Sequence, residues 1–217
     1  MSDFELNKRY KAVILDLDGT LLDTTAGVVF AVEKTIVERK LPMPDNVTLK
    51  TFVGPPMQLS FQKHFGLSEE EALIAANDFR ANYKSHSLLR AELYPGVIEA
   101  LEELKRRGYK LAVATNKSHE NAMAILEHFG VAQLCDFAMG SDLAGKLKKA
   151  DIIVRCLAEL GVEPEKAVYV GDSVFDLEGA TSVGMDFIGA TYGFGFDARE
   201  DIGWPSVDRF PVILNLV

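Results

Sequence analysis

The sequence predicts an α/β protein with a doubly wound, Rossmann-like parallel-sheet core and a small all-helical domain. From about residue 96 onward, helical patterns alternate with short apolar runs typical of strands, which favours a parallel sheet covered by helices on both faces. Residues from about 23 to 92 show helical patterns without a convincing strand. We therefore expect residues 1–22 and 93–217 to form the core, and residues 23–92 to form a helical insertion.

Composition limits the class of protein. With 217 residues, 48% of them apolar, the chain can bury a sizeable core. A net charge of -9 argues against a general nucleic-acid or anionic-membrane surface. Cys135 and Cys156 lack metal-ligand spacing, so we expect core thiols. The polar stretch from Met1 to Lys11 does not resemble a signal peptide, and no run has membrane-spanning length, so we expect a cytoplasmic protein.

The first strand ends in two acids. Ala12 to Leu15 form a short apolar run, and Asp16 and Asp18 follow two residues apart, which directs both side chains the same way in extended chain. Two adjacent carboxylates repel each other unless a cation separates them or one keeps a proton. Mg2+ is the expected cation, because it prefers oxygen ligands. A solvent-facing Asp-Gly turn would have the same local pattern. The residues that follow the later strands are therefore needed to distinguish a metal site from a solvent-facing turn.

The predicted helices of the insertion begin and end at recognisable signals. Ser68 and Glu71 have the spacing of a capping box, and Gly54-Pro55-Pro56 interrupts the helical pattern. The expected helices cover residues 25–40, 46–53 and 57–65, with a longer one opened by Ser68.

The predicted elements of the core alternate in order. The expected helices cover about 96–107, 118–129, 152–160 and 177–183, with Ser118 as a side-chain cap. The expected strands cover 110–114, 137–139, 167–170 and 186–190, with a possible final strand near 212–214.

Polar side chains follow three of these strands. Asp16 and Asp18 end the first, Thr115 and Asn116 follow a second, and Asp172 follows a third. In open parallel sheets, ligands bind outside the carboxyl ends of the strands. The sequence therefore predicts one chemical site at this edge.

Together with Lys149, these residues resemble four motifs of the haloacid dehalogenase superfamily of phosphotransferases. The motifs match Asp16-Leu17-Asp18-Gly19-Thr20, the strand ending in Thr115-Asn116, Lys149, and Gly171-Asp172 followed by Asp176. Any one motif is weak, but all four in order are specific. Lys148 is the alternative to Lys149, although the following Ala-Asp-Ile-Ile favours Lys149.

The resemblance implies phosphate transfer through an aspartyl phosphate. Asp16 would be the nucleophile and Asp18 the general acid and base. The implied Mg2+ ligands are Asp16, Asp172 and the backbone carbonyl of Asp18. Lys149 would neutralise the transferring phosphoryl group.

The remaining motif residues have supporting roles in this interpretation. Thr115 and Asn116 would bind the phosphoryl group through a hydroxyl and through backbone N–H groups at a helix start. Asp176 would orient Lys149 or a metal-bound water without binding the metal itself.

Asp18 favours phosphate chemistry over carbon–halogen cleavage, because dehalogenases of the superfamily generally lack this acid. The helical insertion resembles the family's small cap domain, with Gly54-Pro55-Pro56 as the loop facing the site. Residues 51–57 and 93–96 resemble phosphoglycolate phosphatases and related nucleotidases. The expected function is thus a Mg2+-dependent phosphatase acting on a small phosphorylated metabolite, as a monomer or homodimer.

Two alternatives stay open. A sugar phosphomutase of the beta-phosphoglucomutase kind typically carries a basic residue in the cap loop, and residues 54–60 contain none. A phospho-accepting signalling domain would be shorter and would lack the insertion. Candidates for binding the distal part of a substrate include five cationic side chains of the insertion: Lys63, His64, Arg80, Lys84 and Arg90. The four histidines share no spacing, so we expect surface or hydrogen-bonded roles.

Overall fold

The computed structural model describes residues 10–142, 147–196 and 201–217. It divides into two compact units. One contains the described residues up to Leu22 together with those from Leu93 onward, and the other is Asp23–Glu92.

In the first unit, six parallel strands form one sheet. These strands are β1 (Ala12–Leu15), β4 (Lys110–Ser118), β5 (Phe137–Ser141), β6 (Ala167–Gly171), β7 (Asp186–Ala190) and β8 (Ser206–Val207). Their spatial order is β5-β4-β1-β6-β7-β8. Two further short strands, β2 (Leu22–Asp23) and β3 (Glu92–Leu93), form a separate two-stranded sheet. The predicted α/β fold class with a parallel sheet is confirmed.

Helices are described in both units. Those of Asp23–Glu92 are α1 (Thr25–Glu38), α2 (Asn46–Lys50), α3 (Met57–Phe65), α4 (Glu69–Asn82) and a π-helical turn at Tyr83–Ser87. Those of the sheet unit are α5 (Val97–Arg106), α6 (His119–His128), α7 (Lys149–Leu160) and α8 (Val174–Ser182), with short 3-10 helices at Ala132–Leu134, Pro164–Lys166 and Phe210–Asn215. None of the described helices combines the length and apolar character that crossing a bilayer requires.

The core of the sheet unit is built around β1, whose four residues are fully buried. Such a strand must be covered on both faces, which is why its sequence is continuously apolar. Ile14 and Tyr169 belong to a buried cluster with Ile153 of α7 and Ala180 of α8. Helices α5 and α6 also pack on β4. The central position of β1 places the residues that follow it in the middle of the sheet edge.

The helical unit is held by local caps and by one buried amide. The capping box of Ser68 and Glu71 is confirmed at the start of α4. At the other end of α4, Asn82 donates from Nδ2 to Thr35 Oγ1 at 3.1 Å and to Glu38 Oε2 at 2.7 Å. These bonds connect α4 to α1 inside the unit.

The structure corrects several predicted boundaries. The final strand near 212–214 is wrong, because Phe210–Asn215 is a 3-10 helix with Pro211 in its first turn, and proline cannot donate to a strand ladder. Instead, β8 (Ser206–Val207) is the last strand. Helix α2 ends at Lys50 rather than Val53. Cys135 is half-buried rather than a core thiol, whereas Cys156 is buried as expected.

The strand predicted to end at Ala114 also differs. β4 continues through Thr115 and Asn116 to Ser118, and its register with β5 shifts between Thr115 and Ser118. Ser118 precedes α6 but makes no side-chain capping hydrogen bond. The longer strand arises because a bulge allows the chain to keep pairing with β5 while it turns toward the helix.

Replacing Asn82 by alanine should destabilise the protein by about 1 to 3 kcal/mol, because the buried Thr35 hydroxyl loses a hydrogen-bond partner. Chemical denaturation followed by circular dichroism measures the effect. Asn77→Ala on the exposed side of the same helix is the matched control and should cost less than about 0.5 kcal/mol. Equal effects of the two substitutions would contradict this account.

Candidate active site

The sheet register brings the predicted site residues to one edge. Leu15 pairs with Val113 of β4 on one side and with Val170 of β6 on the other. Because all three strands are parallel, their carboxyl ends coincide. Asp16, Thr115 and Asp172 lie just beyond these paired residues.

A buried ion cluster lies at the centre of this edge. The Nζ atom of Lys149 is 2.7 Å from Asp16 Oδ1 and 2.8 Å from Asp176 Oδ1. The side chains of Lys149, Asp16 and Asp176 are 6%, 8% and 1% exposed. Burial by itself lowers the pKa of Lys149, but the carboxylates of Asp16 and Asp176 overcome that effect and raise the pKa above its usual range. Lys149 is therefore an ammonium ion, whereas the adjacent Lys148 is exposed.

Tyr169 completes the surroundings of this ammonium. Its hydroxyl accepts a hydrogen bond from Lys149 Nζ at 3.0 Å and donates to the carbonyl oxygen of Ala114 at 2.6 Å. Burial raises the pKa of Tyr169 well above its usual range, so the phenol stays neutral. Sequence reasoning missed this residue. The available signal was a tyrosine in an otherwise aliphatic core strand, since a buried hydroxyl needs a partner.

Three carboxylates converge beside the lysine. Oxygen atoms of Asp16, Asp172 and Asp176, all buried, lie within 4.8 Å of one another. Burial, with the nearby charge of Asp176, raises the pKa of Asp172 to about 7. Such a concentration of buried negative charge exceeds what one lysine neutralises.

Backbone groups hold Asp172 in place. The N–H of Phe194 donates to Asp172 Oδ2 at 2.7 Å. A side chain at Gly19, whose φ is +83°, or at Gly193 would collide with the Asp172 side chain. Sequence reasoning did not assign residues 193 and 194 to the site, and Gly193 was the available signal for a close backbone approach.

Asp176 is oriented by a capping box at the start of α8. Ser173 donates to Asp176 Oδ2 from Oγ at 2.6 Å and from its backbone N–H at 3.1 Å. The Ser-x-x-Asp spacing could have indicated this pair in the sequence. The other oxygen of Asp176 contacts Lys149, so one carboxylate connects the helix start to the ion cluster.

The donor set fits a hard divalent cation. Carboxylate oxygens are the ligands that Mg2+ prefers, and a dication would relieve the repulsion among Asp16, Asp172 and Asp176. The carboxylate of Asp18 is not a member of this cluster among the described residues. Asp176, which the sequence placed outside the metal ligands, lies within the cluster. Which of these oxygens bind a metal stays a prediction.

The other predicted residues border the cluster. Asp18 Oδ1 lies 3.0 Å from Lys117 Nζ. Thr115 is buried, and its hydroxyl accepts a hydrogen bond from the Lys117 N–H at 3.2 Å. Asn116 is exposed at the strand end. Lys117 was not assigned to the site from the sequence, although it directly follows the Thr115-Asn116 motif.

Three of the candidate cationic side chains of the helical unit, His64, Arg80 and Arg90, have contacts within that unit. His64 Nε2 is 2.9 Å from Thr51 Oγ1, and its ring stacks on Phe52. Arg80 donates to Asn77, and Arg90 lies over the Phe30 ring. Their proposed part in substrate selection stays a prediction.

The chain belongs to the family of haloacid dehalogenase-like hydrolases. The pattern of that family matches residues 13–190, which include Val13–Leu15 of β1, the ion cluster and the helical unit. The resemblance expected from the four motifs is thus confirmed.

Curated relatives carry several names. The chain is 35% identical over 185 residues to the tyrosine-protein kinase PtkA of Mycobacterium tuberculosis, with 84% of this chain and 62% of PtkA covered, so it spans less than two thirds of that relative. It is 34% identical to a 5'-nucleotidase of Pseudomonas aeruginosa, with 86% and 85% covered. It is 33% identical to a phosphoglycolate phosphatase of Aquifex aeolicus, with 85% and 86% covered.

A solved structure shares the fold over nearly the whole chain. The haloacid dehalogenase-like family hydrolase of Streptococcus pneumoniae superposes with a TM-score of 0.85 at 31% identity, covering 96% of this chain and 99% of that one. The likeness therefore includes both units.

Lys149→Met should destabilise the protein by about 3 to 5 kcal/mol at neutral pH, because Asp16 and Asp176 would lose their shared buried counter-ion. Lys148→Met changes the same charge one residue earlier, at an exposed position, and should change stability by less than about 0.5 kcal/mol. Urea denaturation of both variants measures the difference. A larger loss of stability in Lys148→Met than in Lys149→Met would identify Lys148 as the buried counter-ion.

In a buffer containing a chelator, stability should fall as pH rises from about 4 toward 8. The pKa of Asp172 is about 7 when folded against an ordinary 3.8, so the folded state keeps a proton that the unfolded state has already lost. The proton on Asp172 stabilises the folded state fully below pH 3.8, and this stabilisation is lost as pH rises through about 7. Denaturation midpoints at pH 5 and pH 8 measure it, and Asp172→Asn should flatten the dependence. Parallel pH profiles for the two proteins would refute the assignment to Asp172.

Proposed function

We propose that this protein is a Mg2+-dependent phosphatase that hydrolyses a small phosphate monoester through an aspartyl phosphate on Asp16. The observation that carries the proposal is the convergence of Asp16, Asp172 and Asp176 with Lys149 at the carboxyl edge of the sheet. Membership in the haloacid dehalogenase-like hydrolases supports the same chemistry.

In the first step, a carboxylate oxygen of Asp16 forms a bond to phosphorus while the bond from phosphorus to the ester oxygen breaks. Asp18 gives its proton to the departing oxygen, so the product leaves as an alcohol. In the second step, water attacks the same phosphorus, its proton passes to Asp18, and the bond to Asp16 breaks. Inorganic phosphate is released, and both aspartates return to their starting states.

Charge neutralisation is assigned to the residues around Asp16. Lys149 is already fixed beside Asp16 Oδ1 and would pair with an oxygen of the phosphoryl group. Thr115 and Asn116 would donate hydrogen bonds to the same group. A Mg2+ held by Asp16, Asp172 and the backbone carbonyl of Asp18 would supply the further positive charge that phosphoryl transfer requires.

The proposed substrate class is a small phosphorylated metabolite. The relatives named 5'-nucleotidase and phosphoglycolate phosphatase favour a nucleoside monophosphate or a phosphoglycolate-like ester. The relative named tyrosine-protein kinase makes transfer to a protein acceptor a second candidate, because the same aspartate chemistry would precede it. The sugar phosphomutase is less favoured, since residues 54–60 contain no basic side chain for a second phosphate.

Asp16→Asn should lower phosphate release at least about a thousandfold, because an amide cannot form the covalent intermediate. Phosphate release is measured with phosphoglycolate, nucleoside monophosphates, pyrophosphate and hexose phosphates, with Mg2+ and with chelator. The control is Asp208→Asn, the same substitution at an exposed position of the same unit. It should retain wild-type activity.

The panel separates the candidates. Chelator-sensitive release by the wild-type protein and loss in Asp16→Asn supports the phosphatase and identifies its substrate class. Interconversion of a sugar phosphate in the presence of its bisphosphate, without release, would instead favour the mutase. Full activity of purified Asp16→Asn would overturn the nucleophile, and labelling of a protein acceptor from ATP would favour the kinase.

A further inference from the structure

Lys117 lies beside the proposed acid and base, Asp18. Its Nζ atom lies 3.0 Å from Asp18 Oδ1, and the side chains of Lys117 and Asp18 are 9% and 23% exposed. Asp18 Oδ1 is buried and accepts no hydrogen bond within the described part of the chain. The ammonium of Lys117 is therefore a charge partner of this oxygen, although it is not aligned as a hydrogen-bond donor.

The position of Lys117 is determined by its backbone. It lies in the last part of β4, between Thr115 and Ser118, where the register with β5 shifts. The Lys117 N–H donates to Thr115 Oγ1, and a side chain at Gly140 of β5 would collide with the Lys117 carbonyl oxygen. A β-bulge changes the direction in which the side chains of the bulged strand point. The Lys117 side chain is thus largely buried at the edge of the site, whereas a surface lysine is surrounded by water.

Lys149 and Lys117 pair with different carboxylates. Lys149 contacts Asp16 and Asp176, both members of the three-carboxylate cluster. Lys117 contacts Asp18, whose carboxylate is outside that cluster among the described residues. Proton transfer by Asp18 requires that one oxygen of its carboxyl group face the departing oxygen and not bind a metal ion.

We infer that Lys117 is a positioning residue: by contacting Oδ1, it holds the Asp18 carboxyl group apart from the Asp16–Asp172–Asp176 cluster, so that the second oxygen gives the proton in the first step and takes one in the second. The inference rests on the proposed phosphatase function, because only that function gives Asp18 a proton to move. Without Lys117, the Asp18 carboxylate would lose its partner and turn toward water or toward a cation bound by the cluster.

The leaving group provides a test that a merely structural role would not satisfy. An alkyl alcohol needs a proton to depart, whereas p-nitrophenol departs as its anion. Lys117→Met should therefore lower kcat at least about tenfold for the alkyl phosphate found in the substrate panel, and less than about threefold for p-nitrophenyl phosphate. KM should stay within about twofold for both esters. Lys117→Arg should recover most of the loss because it keeps the charge, and Lys166→Met is the exposed control.

Equal losses with the two esters would overturn the inference, as would a raised KM with unchanged kcat, which would make Lys117 a substrate-binding residue. In an Asp18→Asn background, Lys117→Met should have no further effect on kcat. An added loss in that background would also count against positioning.

A second measurement does not depend on turnover. In a buffer containing a chelator, Lys117→Met and Asp18→Asn should each change the Tm. The change in Tm of the double variant should be smaller than the sum of the two single changes, because both substitutions break the same ion pair. Additive changes would overturn the inference even in an active enzyme. A wild-type protein that hydrolyses neither ester, yet shows this coupling, would overturn the proposed function and leave the ion pair established.

Discussion

The rest of the site depends on the burial of the Lys149 ammonium between Asp16 and Asp176. A lysine that is 6% exposed is stable only if its charge is matched, and both carboxylates pair with the same ammonium. These contacts connect α7 to the residue that follows β1 and to the first turn of α8, so the packing of these elements assembles the site. Tyr169 adds a neutral hydroxyl that holds the ammonium against the Ala114 carbonyl.

Among the described residues, the cluster contains three buried carboxyl groups but only one buried ammonium, that of Lys149. Lys149 compensates Asp16 and Asp176, but Asp172 adds a third buried carboxylate whose pKa is raised to about 7. The Phe194 N–H donates a hydrogen bond to Asp172, and Gly19 and Gly193 leave room for its side chain. Perturbed pKa values of this kind are typical of functional sites. A hard divalent ion is the simplest partner for such a cluster.

Much of the fold and of the motif set could be predicted from local patterns. The buried strand β1, the capping box at Ser68 and the glycine that ends α7 each depend on neighbouring residues, so a short stretch specifies them. The error at β4 occurred because a longer-range partner decided the outcome: the strand extends to Ser118 because β5 continues to pair with it. The error near the C-terminus had a local cause, because Pro211 lies in the first turn of the 3-10 helix Phe210–Asn215 and cannot donate to a ladder.

The sequence by itself determined the parallel-sheet class, the order of the motifs, and the presence of acids after the strands, because strand ends and side-chain chemistry are local properties. Only the tertiary structure decided which groups meet. Phe194 lies far along the chain from Asp172, as does Lys117 from Asp18, and sheet register and helix packing bring each pair together. No single stretch of the sequence specifies these contacts, because they follow from the packing of separate elements.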